Sequence, residues 1–526
     1  MRLFIPLLFI CSAPFIYANQ YVITDFGAVN DKTVSSRSAI QAAIDACHQA
    51  GGGEVVIPPG NYLSGQLTLR SHVELQLSSG ATLWANKDKA DYDGGSRGRL
   101  LTADGATSIT ISGRGTIHGQ GEADYGARWG VPDAPAFRTG VILFENCEDV
   151  VIRDLTILYS DSWTVHLKRC KRVWIDGVTI HNNIRRLNSD GIDPNSCQDV
   201  RISNCHIIAG DDCIVFKSTE AFPCERITVT NCILETTATA LKLGTESQGD
   251  FRDIRVSNCV IHKTRTGVGF MMKDGATMER VSFSNLSIHT LPSAPIEGRR
   301  DVYPIFMDIE KRHEDSPVGK IRDISFRDIQ IHSGSGILIQ GMPERPIENL
   351  TIQNITLRAD WLDEYTNRKK AVGGSRTTRD ERDTRFAREA AYMAIAYVRG
   401  LTVDHFRVVI DPAVFEAEER SAFYGHEIDE FKLNGLFGDS PNSVKTTSIV
   451  RLDNCRHGVV SQNIAPRLHA PYLRLSGART VRILLAASEL SRSDMLITAD
   501  DDVIPGEFKV SANFELLSRN EQIFWK

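Results

Sequence analysis

The sequence predicts an all-β chain wound as a right-handed parallel β-helix, with a capping helix near its N-terminal end. Three observations carry that expectation. The first is a repeat: Asn-Cys recurs at Asn204-Cys205, Asn231-Cys232 and Asn258-Cys259, then Asn285 is followed by Leu286, each step being 27 residues. The second is another cysteine series, Cys147, Cys170, Cys197 and Cys224, with steps of 23, 27 and 27 residues. The third is alternation inside each unit, as in Val200-Arg201-Ile202-Ser203 and Ile254-Arg255-Val256-Ser257, which is the period-two pattern of a strand. A unit of this length cannot bury its own apolar face, so it must stack on its neighbours. Stacking at about 4.8 Å per rung lines equivalent residues into ladders, Asn bonding Asn and thiols packing as small apolar groups. A leucine-rich repeat would need a Leu-rich consensus, and a propeller a longer repeat with antiparallel blades.

From the N-terminus, residues 1–18 read as a secretory signal peptide. Arg2 supplies the positive end, residues 3–10 the apolar stretch and Ala18 the small residue before cleavage. Ile10 is bulky where a lipid-attachment motif ahead of Cys11 would want a small side chain. The expectation is a secreted or periplasmic protein in which residues 19–526 form one β-helix domain. Residues 39–49 form the clearest amphipathic helix and end at Gly51-Gly52-Gly53; a helix there would cover the open apolar end of the stack. Candidate rungs follow at 73–77, 109–117 and 150–157, and after the repeat at 321–331, 350–357 and 401–410. Residues 360–390 break the pattern with a charged insertion, read as a loop with a short helix at 384–393. From 411 the periodicity weakens, and it resumes at 449–452 and 481–485.

Composition narrows the function classes. The 526 residues are 42% hydrophobic and 24% charged, as in ordinary globular proteins. With 60 basic and 66 acidic residues the net charge is -6, so there is no bulk attraction for nucleic acid or an anionic membrane. No stretch after the signal is long and apolar enough to insert in a bilayer. Export would place the cysteines in an oxidising compartment, yet their register predicts buried thiol ladders rather than disulfides.

The chemistry concentrates on two adjacent rungs. One carries Asn188-Ser189-Asp190-Gly191-Ile192-Asp193 and the next Gly210-Asp211-Asp212-Cys213, with Asp190 and Asp211 21 residues apart. Asp190, Asp211 and Asp212 should then converge on one patch. Close carboxylates repel, and at least one keeps its proton to a higher pH. A protonated acid beside ionised partners is what glycosidic hydrolysis requires: one protonates the leaving oxygen and another activates water. Two other readings fit the bare pattern. Asp and Gly make turns between rungs, and clustered carboxylate oxygens suit calcium.

At these motifs the chain resembles glycoside hydrolase family 28, the polygalacturonase family. Asn188-Ser189-Asp190 is similar to the family's Asn-Thr-Asp, Gly210-Asp211-Asp212-Cys213 to its Gly-x-Asp-Asp motif, and Ser162-Trp163-Thr164-Val165-His166 to its Trp-containing segment. Asp25-Phe26-Gly27-Ala28 and Gly52-Gly53-Glu54-Val55-Val56-Ile57-Pro58-Pro59-Gly60 resemble stretches of a wider set of pectin-active β-helices. The resemblance spans roughly residues 21–360. It implies Asp211 as general acid, Asp190 and Asp212 positioning the attacking water with inversion, Asn188 bonding near the cleaved linkage, and neither metal nor cofactor. The implied partner is a pectic, acidic glycan.

Two departures bear on the substrate. The family's Gly-His-Gly is replaced around Ala238-Thr239-Ala240, and its Arg-x-Lys by Met271-Met272-Lys273. Lys273 offers a point charge, not the bidentate fork that Arg gives a carboxylate. The substrate expected is therefore a pectic or related uronate-containing glycan other than plain homogalacturonan. Thr239, Lys242, Lys273, Asn188 and His166 are the candidate substrate contacts. Lys217, Glu246, Trp163, Arg299 and Arg300 fit structural or solvated roles as well as contacts. Two alternatives stay open: a pectate-lyase-like enzyme, which would need a basic residue as base, and a noncatalytic glycan-binding β-helix.

Overall fold

The computed structural model describes residues 20–93, 95–126, 131–133, 135–291, 302–359, 391–411, 420–438, 448–463, 471–486, 497–503, 508–510 and 523–525. Residues 1–18, read above as a signal peptide, Arg299, Arg300 and all of residues 360–390 lie outside the described residues. Among the described residues, every ladder between strands is parallel, and the strands form one continuous hydrogen-bonded system. The central turns show the plan. Strands Ile192–Asn195, Gln198–Ser203 and His206–Ala209 make one turn, and Ile214–Ser218, Cys224–Thr230 and Ile233–Thr236 make the next. Each strand pairs with its counterpart one turn on: Ile192 with Ile214, Val200 with Ile227, Ile207 with Leu234. Three sheets thus run along the stack. The first, called the site sheet, contains Arg97–Asp104, Arg138–Glu145, Val165–Lys168, Ile192–Asn195, Ile214–Ser218, Thr239–Ser247 and Thr266–Met272.

Period-two alternation fills the interior. Val200, Ile202, Ile227, Val229, Ile254 and Val256 all point inward and are buried, part of a single core reaching from Ile23 to Val503. Phe270, Phe283 and Phe326 stack inside it with ring centroids 5.5–6.1 Å apart, a geometry aromatic pairs favour.

Both ladders are present. Asn204, Asn231, Asn258 and Asn285 each turn the chain at φ between +51° and +57°, a region Asn tolerates better than other side-chain-bearing residues. The Asn231 amide donates to Asn204 Oδ1 at 3.3 Å, and that of Asn285 to Asn258 Oδ1 at 2.8 Å. All ten described cysteines are free and buried. In the other series Cys170 donates to the Phe144 carbonyl at 3.3 Å, Cys197 to Leu167 at 3.3 Å and Cys224 to Pro194 at 3.4 Å, so each thiol bonds the strand of the preceding turn.

Helix α1, Arg37–Gln49, buries Ile40, Ala43, Ile44 and Cys47 against the first strands. The candidate rungs 109–117 and 150–157 each divide at a bend into two strands, Thr107–Gly113 with Thr116–His118 and Glu148–Arg153 with Thr156–Leu158. The short helix expected at 384–393 is corrected at its described end. Residues 391–393 open the long strand Ala391–Ile410, where buried Met393 pairs with Ile337 and Phe423. The weak region after 411 holds another long strand, Ser421–Gly438, paired throughout with Ala391–Ile410. Among the described residues no helix is long and apolar enough to cross a membrane.

Candidate active site

Both acidic motifs lie where the chain turns from the third sheet into the site sheet. Their glycines are set by close approach of the two turns. A Cβ on Gly210 would lie 2.4 Å from the Asn183 carbonyl oxygen and 2.5 Å from that of Arg186; one on Gly191 would lie 2.4 Å from the Cys213 carbonyl oxygen. With no side chain there, Gly191 N–H bonds the Asp212 carbonyl at 2.9 Å and Cys213 N–H that of Thr239 at 3.1 Å. Asp190, Asp212 and Thr239 are thereby seated on three successive rungs. Asp211 stands beside them, its Oδ2 accepting from the Asn188 N–H at 3.1 Å. Asn188 has φ +57° and its side-chain oxygen is held by Arg138 Nη2 at 3.0 Å.

The charge arrangement is asymmetric. Asp190, Asp193 and Asp212 are 2%, 0% and 3% exposed, while Asp211 is half-buried. Asp212 is matched with cations: Lys242 Nζ is 2.7 Å from Oδ2 and Thr239 N–H 3.2 Å from Oδ1. Burial opposes its ionisation, but Lys242 and then Lys217 outweigh it and hold the carboxyl below the usual range. Asp190 goes the other way. Burial first, then the charges of Asp193 and Asp211, push it well above that range, with Lys217 opposing. Asp193 is raised to about 7, chiefly by burial. Lys217 Nζ sits among them, 3.4 Å from Glu246, 3.8 Å from Asp193 and 4.0 Å from Asp190. Glu246 is drawn down to about 2, Lys217 and Lys242 overcoming its burial. Two buried carboxyls thus favour the protonated form beside a third that is held ionised.

The remaining residues singled out in the sequence fall at different distances from this chemistry. His166 shares a register row with Asp193. It approaches the Asn195 amide at 3.3 Å and meets Trp163 edge-on at 4.8 Å. Burial, then Arg99 and Lys217, lower its pKa to about 3, so it is neutral at ordinary pH. Thr239 is buried and its backbone serves Asp212. Lys273 is 5% exposed and paired with buried Glu310 at 2.9 Å. Met271, half-buried, packs on an apolar cluster that includes Tyr303, Phe306 and Tyr424.

Sequence reasoning passed over Asp193 as a member of the cluster and left Lys217 and Glu246 undecided. Asp193 was legible: register places it in the row of His166 and, through Val215, of Lys242. Arg99 and Glu310 carried no such signal. Among the described residues no group of His, Cys, Asp and Glu is arranged to hold a metal ion.

Acidic turns on successive rungs of a parallel β-helix define a carbohydrate-hydrolase type of construction. The chain belongs to Glycosyl hydrolases family 28, whose model matches residues 47–373. A probable polygalacturonase of Vitis vinifera is 31% identical over 264 residues, covering 45% of this chain and 53% of that one. The chain spans about half the length of the curated relatives it matches, the share of the Persea americana polygalacturonase being 43%. Among solved structures, the Thermotoga maritima exopolygalacturonase aligns with a TM-score of 0.56 at 20% identity, covering 65% of this chain and 87% of its own. The Yersinia enterocolitica family 28 exopolygalacturonase aligns with 0.56 at 17% identity, covering 78% of each. At those identities the likeness is one of fold.

Proposed function

We propose that the protein is an inverting glycoside hydrolase acting on a pectic or related uronate-containing glycan outside the cytoplasm. In this reading Asp211 protonates the leaving oxygen, Asp190 helps to hold the attacking water, and Asp212 activates it. The observation that carries it is the opposed electrostatics of Asp190 and Asp212. Lys242 keeps Asp212 ionised and able to accept a proton, while the crowding of Asp190, Asp193 and Asp211 retains one in the cluster. Asp211, half-buried and oriented by the Asn188 N–H, is the member placed to meet a substrate oxygen. The chemistry calls only on carboxylates and water. We read the stack as right-handed, α1 as its cap, and residues 19–526 as one catalytic domain.

A panel of pectic glycans tests the proposal. Turnover of at least one acidic glycan is expected, and Asp211→Asn should lower it by about a thousandfold or more, given the size of general-acid effects, with an unchanged circular dichroism spectrum. A panel without turnover, or an Asp211→Asn protein of undiminished rate, would refute it. An unsaturated product absorbing in the ultraviolet would favour elimination instead.

A further inference from the structure

The cations around the acids are distributed unevenly. On the rungs from Asp212 onward each has a carboxylate partner: Lys242 has Asp212, Lys217 has Glu246, Lys273 has Glu310 and Arg312 has Asp274. On the rungs before Asp190, Lys168 and Arg186 are likewise paired, with Glu220 and Asp161, but three arginines are not. Arg97 and Arg138 are direct register partners on adjoining strands, and Arg99 follows two residues after Arg97. Among the described residues none of the three has an ion pair with a carboxylate; Lys87, nearby, is paired with Asp161.

Like charges in register on neighbouring strands are destabilising, and of the three only Arg97 reaches solvent. Arg99 and Arg138 are each 7% exposed. Arg138 is spent on neutral acceptors, the Leu187 carbonyl at 2.9 Å and Asn188 Oδ1 at 3.0 Å. Arg99 has one long bond, Nη1 to the Gly98 carbonyl at 3.3 Å, and its Nε has no partner. Its guanidinium lies over Gly140, where a Cβ would fall 2.2 Å from Nη1 and 2.6 Å from the Trp163 carbonyl oxygen. Glycine at 140 therefore gives the guanidinium its place on the outer face, pointed along the rungs toward Trp163 and the acids. Burial and then Arg97 push Arg99 down to about 10, with the charges of Asp193 and Asp190 opposing from a distance at which neither forms an ion pair with it. Trp163 links the two halves: its half-buried indole has Arg97 6.0 Å and Lys217 4.8 Å from the ring centroid. Ser162 Oγ beside it and Asp190 Oδ1 are also buried without partners.

We infer that Arg97, Arg99 and Trp163 form a subsite for a glycosyl carboxylate on the rungs preceding Asp190, the indole carrying the sugar and the arginines its charge. A buried arginine crowded by an exposed one gains most from an anion that accepts a bidentate pair of hydrogen bonds. Among the described residues, the rungs after Asp212 offer no comparable unpaired cation, so recognition of the uronate lies on the side where Arg replaces the fork absent at Met271. This inference rests on the proposed uronate-glycan reading of the same site.

The test uses galacturonate trisaccharide and its carboxyl-reduced, neutral counterpart, with binding measured calorimetrically on Asp211→Asn protein and turnover on the otherwise unaltered chain. The acidic trisaccharide should bind at least tenfold more tightly. Arg99→Gln and Arg97→Gln should each erase about ten- to a hundredfold of that preference, the scale of a charge-assisted contact, and barely alter binding of the neutral sugar. Lys273→Gln should leave the preference intact. Arg97 is exposed, so its variant keeps the test valid if Arg99→Gln fails to fold. No carboxylate preference, or one surviving in both Arg variants or lost with Lys273, would overturn the subsite. Preference without turnover would keep the subsite and overturn the hydrolase reading; turnover without preference would do the reverse.

Discussion

Asp193 lies in one register row with His166 on the turn before it, and its charge is felt by Asp190. That places a pH dependence on two named side chains. Asp193 raises Asp190, so Asp193→Asn should let the cluster release its proton at lower pH. The alkaline limb of the kcat/KM profile then moves down. Lys242 works in the opposite sense on Asp212. With Lys242→Met the carboxyl loses the cation that lowers it, Asp212 ionises at higher pH, and the acidic limb moves up. A pH profile of each variant checks both signs; limbs that stay in place would separate these residues from the reacting cluster. Stability has its own sign. An acid whose folded value is raised to about 7, as for Asp193, binds more protons folded than unfolded between about pH 4 and 7. Its contribution to stability is full below that window and lost as pH rises through it.

At the scale of the element, the turn residues of the rungs carry the register. Asn231 has φ +57° and accepts its place because Asn tolerates the left-handed region. Asn231→Ala keeps the strain without the Asn–Asn bond and should cost about 1–2 kcal/mol, whereas Asn231→Gly should cost less because glycine adopts that φ freely. Thermal melts of the two variants compare them directly. A second turn row alternates in charge: Asp149, Arg172, Asp199, Arg226, Asp253 and Arg280, with Arg172, Arg226 and Arg280 bonded to the preceding Asp at 2.6, 2.7 and 2.8 Å. Each such pair is exposed and worth little alone; together they disfavour a slip by one turn, which would set like charges opposite each other.

Across the whole molecule, what the sequence made legible is what repeats. The Asn-Cys step and the apolar alternation named the rungs because ladder residues recur at the period of the stack, and the two acidic motifs stood out against that background. What depended on contacts between distant segments did not show. Arg99 lies over Gly140, 41 residues on, and Lys273 meets Glu310 one rung on, 37 residues away. In Arg456–Ser461 the alternation is diluted for a packing reason: the Phe431 ring of the preceding rung occupies the space of the side chain that Gly458 lacks. The thiols report on the same stack. All ten are buried, and burial pushes Cys224 and Cys455 up to about 12. In protein lacking residues 1–18, and so Cys11, a thiol reagent should find none accessible in the native state and ten after denaturation; rapid native labelling would mean that the ladders are open or oxidised.

The central claim is direct displacement by water between Asp190, Asp212 and Asp211. The measurement closest to it is the anomeric configuration of the first product, followed by proton NMR during hydrolysis of an acidic glycan. Single displacement predicts that the configuration is inverted before mutarotation. Retention would contradict it and require one of these carboxylates to act as a covalent nucleophile.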